Sequence, residues 1–123
     1  MISMENLPRT KEKHTLYIFP PHSQILLYLL DKNNISYKGE DDADLFFKPE
    51  TIKEKEYWFK KYKEKMPDTN INMNQVNAIT TNIDPNILFD FITNIPITGE
   101  NVDPDIQQFI DVILTPRTYH ENS

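Results

Sequence analysis

Hydrophobic and polar positions divide the chain into short elements with clear stops. His14-Thr15-Leu16-Tyr17-Ile18-Phe19 is rich in β-branched and aromatic residues and runs into Pro20-Pro21, a pattern that predicts a strand of about five residues. Ser23 offers a hydroxyl to the free amides of a first helical turn, so a helix is expected from Gln24 to Asn33 with Ser23 as its cap. Ile25, Leu26, Leu27, Tyr28, Leu29 and Leu30 follow one another without a polar break, which leaves that helix little polar face. Such a helix is buried on most sides, typically against a sheet. Asn33-Asn34 closes it, and Ile35-Ser36-Tyr37-Lys38 predicts a second short strand ending at Gly39.

Beyond Gly39 the pattern turns helical. Glu40, Asp41, Asp42 and Asp44 form a loop of like charges, and Leu45-Phe46-Phe47 is either a third strand or an anchor for that loop. Pro49 to Lys65 is the best-marked helix: Pro49 and Glu50 suit its first turn, and Lys60, Lys61, Lys63 and Lys65 suit the negative end of its dipole. Ile52, Phe59, Tyr62 and Met66 are expected on its core stripe, with Tyr57 and Trp58 beside it. Pro67 to Gln75 is polar and predicts a surface loop.

Two later segments share capping chemistry at an interval of 19 residues, Ile83-Asp84-Pro85-Asn86-Ile87 and Val102-Asp103-Pro104-Asp105-Ile106. In each, Asp caps and Pro occupies the first helical position, where its missing amide costs nothing. The first helix, Pro85 to Asn94, is expected to bury Ile87, Leu88, Phe91 and Ile92; the second, Pro104 to Leu114, Ile106, Phe109, Ile110 and Ile113. The elements together predict an α+β fold, a small sheet packed by helices. Residues 1 to 13 are expected as a flexible lead-in, 14 to 116 as one domain, and 117 to 123 as a loose tail.

Composition narrows the chemistry. With no cysteine there is no disulfide, thiolate nucleophile or Cys-ligated metal site, and the longest apolar run is far too short to span a bilayer. The expected location is therefore the cytoplasm, without membrane association. Ile, Asn and Lys are the commonest residues while Arg occurs only at Arg9 and Arg117, a bias of AT-rich genomes such as those of low-GC bacteria, phages and large viruses. Residues 1 to 66 carry 12 basic and 11 acidic groups (net +1), and residues 67 to 123 carry 1 basic and 8 acidic (net −7), so the net charge of −6 comes entirely from the C-terminal part. That asymmetry disfavours nucleic acid as a partner and favours a protein with a basic surface, the bland alternative being solubility alone.

Catalytic signatures are sparse. His14, His22 and His120 have no spacing of a shared metal site, and the charged loop from Glu40 to Asp44 lacks the spacing and central glycine of an EF-hand. Ser23 beside His22 is not a catalytic pair, because adjacent side chains diverge and no third residue orients the imidazole. Gly39 and Gly99 are the only glycines, too few for a phosphate-cradling loop. No metal and no cofactor is expected, and the pattern leans away from an enzyme.

Leu16-Tyr17-Ile18-Phe19-Pro20-Pro21-His22-Ser23, followed by Leu29-Leu30-Asp31-Lys32-Asn33-Asn34-Ile35-Ser36-Tyr37, resembles the opening of a glutaredoxin or of a glutathione transferase N-terminal domain, the thioredoxin-like fold. Asn94-Ile95-Pro96-Ile97, Gly99-Glu100 and the helix from Pro104 are similar to that family's cis-proline strand, turn and closing helix. The resemblance implies Pro96 at the cis-proline position, Ser23 near the residue that activates glutathione in some transferases, and residues 40 to 65 as a helical insert. The chain departs from the family in having no Cys-x-x-Cys and in carrying Asp103-Pro104 where the glutathione-binding helix usually starts with Glu-Ser.

Three functions follow from these readings. The first is a non-catalytic protein-interaction module, an adaptor or inhibitor, whose acidic surface around Asp84, Asp90, Asp103, Asp105 and Asp111 meets a protein partner. The second is a divergent thioredoxin-fold protein that binds glutathione or a similar thiol through Ser23 and Pro96. The third is a phage or viral component, either structural or an inhibitor of a host nucleic-acid enzyme by charge mimicry.

Overall fold

A computed structural model describes residues 2–41 and 51–114. Strand β1 (His14–Ile18) is followed by helix α1 (His22–Lys32), strand β2 (Lys38–Asp41), helix α2 (Ile52–Lys65), strand β3 (Asn77–Thr81), helix α3 (Pro85–Thr93) and helix α4 (Pro104–Phe109), which continues as a wider π turn over Ile110–Leu114. The fold is α+β. Its sheet has the order β1-β3-β2, with β3 antiparallel to both neighbours. Leu16 lies opposite Ile79 and Tyr17 opposite Ala78, and the hydroxyls of the facing pair Thr15 and Thr80 are 2.9 Å apart.

The central strand β3 is the element the pattern did not mark. Asn77-Ala78-Ile79-Thr80-Thr81 follows an Asn-rich stretch and is held as a strand by ladders on both sides, to partners 36 to 67 residues away in the chain. The second strand also lies later than expected: Ile35, Ser36 and Tyr37 precede β2 and only Lys38 and Gly39 are shared. The reason is the end of α1. Asn34 takes the left-handed conformation (φ 57°), Asn34 N–H donates to the Asp31 carbonyl and Ile35 N–H to the Leu30 carbonyl, the Schellman arrangement, so Ile35 completes the helix stop and is buried.

Helix α1 starts earlier than its expected cap. Ser23 N–H donates to the Phe19 carbonyl at 3.0 Å, so the first turn forms on the Pro20-Pro21 corner and Ser23 lies inside the helix rather than at its cap. The two Asp-Pro helices begin as expected: the carboxylates of Asp84 and Asp103 accept from the amides of Asn86 and Asp105 at 2.8 and 2.9 Å.

One cluster of buried side chains runs from Met4 to Ile106, with Ile25, Leu26, Leu29 and Leu30 of α1 at its centre. Leu16, Tyr17 and Ile18 are all buried, so edge strand β1 is covered on both faces. Helices α2 and α3 pack against β1, and α3 also touches α1. Helix α2 therefore covers the sheet instead of projecting as an arm. Its buried positions are Lys55, Trp58 and Tyr62, while Ile52, expected in the core, is exposed. The expected lead-in is anchored as well: Met4 is buried, its amide donates to Asn33 Oδ1 at 3.0 Å, and Thr10 N–H donates to the Asn82 carbonyl at 2.7 Å. The segment from Asp42 to Glu50, with Leu45-Phe46-Phe47, and the tail from 117 to 123 with His120 lie outside the described residues.

Candidate functional site

The densest cluster of reactive groups lies under the Pro20-Pro21 corner. His22 Nδ1 is 2.7 Å from the Tyr62 hydroxyl, which in turn donates to the Pro20 carbonyl at 3.4 Å. One tautomer satisfies this chain: Nδ1–H donates to Tyr62 Oη, the tyrosine O–H passes to Pro20, and Nε2 is left as a bare acceptor. The other tautomer would bury an N–H at Nε2, which has no hydrogen-bond partner among the described residues. Burial pushes the His22 pKa from 6.5 down to about 4 and that of Tyr62 from 10.0 up to about 12. His22 is 1% exposed and Ser23 and Tyr62 0%, so no substrate reaches them in this conformation. The cluster is core polarity that fixes the α1–α2 contact.

The residues of the expected acidic surface have separate roles. Asp84 and Asp103 spend an oxygen on capping, and Asp111 accepts from Gln107 Nε2 at 3.0 Å within the last helical segment. Asp105 is half-buried in the first turn of α4. Asp90 is exposed midway along α3. Among the described residues no group of three or more His, Asp or Glu is placed to hold a metal ion.

Asp90 borders an open trough of about 460 Å³ lined by Leu7, Ile87, Asp90, Phe91, Asn94 and Ile95. Four of these, 87, 90, 91 and 94, fall at the spacing of a single helical stripe on α3. The opposite stripe, Leu88, Phe89 and Ile92, fills the core. Ile87 and Phe91 were expected to be buried; the structure leaves Ile87 36% exposed and Phe91 half-buried against the edge of the core. Five apolar residues in the six positions from Ile87 to Ile92 are more than one face can hold, and that excess was the signal for a second apolar face.

No protein family, characterised protein or solved structure matches the chain.

The two thiol-site residues lie in different surroundings. Ser23 is sealed in the core, and Pro96 lies in an exposed loop after α3, with no strand at 94 to 97. Among the described residues the cis peptide bond is Pro20–Pro21, not the bond before Pro96. A second trough, of about 290 Å³, is lined by Pro20, Leu27, Val76 and the carboxamides of Gln24, Asn74, Gln75 and Asn77. None of these described lining residues is ionisable. His14 is paired through Nε2 with the Thr10 hydroxyl at 3.0 Å, a contact that ties the N-terminal segment to β1.

The lysines of α2 are partly engaged by the fold. Lys61 Nζ donates to Asn86 Oδ1 at 2.7 Å and stands 5.1 Å from the Trp58 ring centroid and 5.2 Å from that of Phe89, so it clips α2 to α3. Lys63 Nζ donates to the Thr69 carbonyl at 2.6 Å.

Proposed function

We propose that this chain is a non-catalytic protein-interaction module, an adaptor or inhibitor, that engages a protein partner through the outer face of α3. The observation that supports this reading is the apolar trough around Ile87, Phe91 and Ile95, open to solvent beside one exposed carboxylate. A helix whose second apolar face is left uncovered carries a solvation cost that a partner would relieve. The ionisable groups that could have argued for catalysis, His22 and Tyr62, are withdrawn into the core as a hydrogen-bonded pair.

The test is site-specific photo-crosslinking in extract of the native host, with the photoreactive residue at position 91 and, for comparison, at exposed Tyr57 on α2. A protein captured from position 91, identified by mass spectrometry and re-bound in purified form, is the expected outcome. Capture only from position 57, or from neither position, would overturn it.

A further inference from the structure

We infer that the occupant of the α3 trough is a cationic amphipathic helix supplied by the partner, an inference that rests on the interaction-module reading. Three observations point there. The outer stripe Ile87, Asp90, Phe91, Asn94, exposed except at half-buried Phe91, has the i, i+3, i+4, i+7 spacing that forms one side of a helix–helix seam, into which a second helix sets its own side-chain ridge. Leu7 and Ile95, both half-buried, extend the shallow trough, so the incoming helix meets more apolar surface than Ile87 and Phe91 alone.

The second observation is charge. From Pro67 to Leu114 the chain has no Lys or Arg and carries seven carboxylates. Asp90 is the carboxylate in the trough, and no hydrogen bond within the fold engages its side chain among the described residues. The basic groups nearest along the neighbouring segment, Arg9, Lys11 and Lys13, flank Thr10, whose amide and hydroxyl both bond the Asn82 carbonyl ahead of α3. The lysine that reaches α3 from within the fold, Lys61, spends a donor on Asn86 one turn before Asp90 and stands over the Phe89 ring, and no ion pair holds Asp90 itself among the described residues, which leaves Asp90 to an outside cation.

The third observation is the polar pair within the apolar seam. Asp90 and Asn94 lie one turn apart, and a partner that covers them with apolar side chains alone would bury both unpaired, at a cost that selects against it. A Lys or Arg placed opposite Asp90, flanked by leucine-like side chains over Ile87 and Phe91, satisfies both requirements. The patch is small, so the complex is weak and exchanges quickly.

The experiment uses the full chain and synthetic peptides. One peptide is an amphipathic helix with leucines along one face and lysines at its border; the second has glutamate at each lysine position; the third has the composition of the first in an order that destroys the apolar face. Fluorescence anisotropy is expected to show binding of the first alone. Asp90→Lys is expected to weaken that binding by about tenfold, whereas Asp68→Lys, the same charge change in the exposed loop after α2, leaves it within about twofold. Ile87→Ser is expected to weaken it similarly, with circular dichroism confirming the fold. Equal binding of all three peptides, equal effects of Asp90→Lys and Asp68→Lys, or no binding would overturn the inference. Sedimentation showing a dimer that Asp90→Lys and Ile87→Ser dissociate would also overturn it, by making a second copy the occupant. A partner crosslinked at position 91 without any binding of the lysine peptide would sink this inference and leave the interaction-module reading standing; failure of both experiments removes both.

Discussion

The Nδ1 atom of His22 and the hydroxyl of Tyr62 meet at 2.7 Å inside the core, joining the first turn of α1 to α2 across 40 residues of chain. A buried pair of this kind is sensitive to protons at both ends of the pH scale.

Acid destabilises the fold through His22. Above about pH 6.5 the imidazole is neutral in both folded and unfolded chains and contributes nothing. As pH falls from 6.5 toward 4 the unfolded chain takes up a proton that the buried ring refuses, so stability declines, by about 3 kcal/mol at the lower end of that window. Urea unfolding at pH 7.5, 6.0 and 4.5 measures this, and His22→Gln should flatten most of the slope above pH 5. A slope unchanged by that substitution would refute it.

Base acts through Tyr62 with the opposite sign of charge. Its pKa rises from 10.0 to about 12 on burial, so stability holds below pH 10 and falls between 10 and 12 as the unfolded chain loses the phenolic proton first. Tyr62→Phe removes that dependence. It also leaves His22 Nδ1 without its partner, at a cost of about 1–3 kcal/mol at neutral pH. A double-mutant cycle with His22→Phe should give a coupling of at least about 0.5 kcal/mol, and a coupling of zero would separate the two residues.

The Asp caps differ in reach. Asp84→Ala should lower global stability by about 1 kcal/mol, because α3 packs into the core through Leu88, Phe89 and Ile92. Asp103→Ala acts on a six-residue helix with a single buried side chain, Ile106, so its effect should appear as faster local amide exchange over residues 104 to 109 with a smaller change in urea midpoint. Equal midpoint shifts for the two would contradict this.

Removing the anchor of the N-terminal segment should be costly. Met4→Ala is expected to destabilise by about 2–5 kcal/mol, in the range of other core truncations. Asn33→Ala loses three hydrogen bonds, one from the Met4 amide and two to the carbonyls of Ile2 and Leu29, and should expose residues 2 to 10 to limited proteolysis. A truncation starting at residue 9 that melted like the full chain would show the segment to be dispensable.

Local signals recovered much of the architecture. The β-branched run at His14–Ile18, the apolar run of α1 with its Asn33-Asn34 stop, and the Asp-Pro starts of α3 and α4 each depend on chemistry within about one turn of chain, so they could be read in order. The proposed docking face was half legible: Asp90 stood among the acidic candidates, but Ile87 was assigned to the core because the apolar pattern does not say which of two faces the rest of the fold will cover.

The sequence by itself determined the Asp-Pro starts of α3 and α4 and the Asn33-Asn34 stop of α1, that the fold mixes a small sheet with helices, and that cysteine chemistry is absent. Only the tertiary structure decided that Asn77–Thr81 is the central strand, that Met4 closes the core, that Lys55 is buried on α2, and that His22 and Tyr62 are partners. Those outcomes rest on contacts between residues 29 to 65 positions apart, whose energies depend on packing geometry that no short window of sequence encodes.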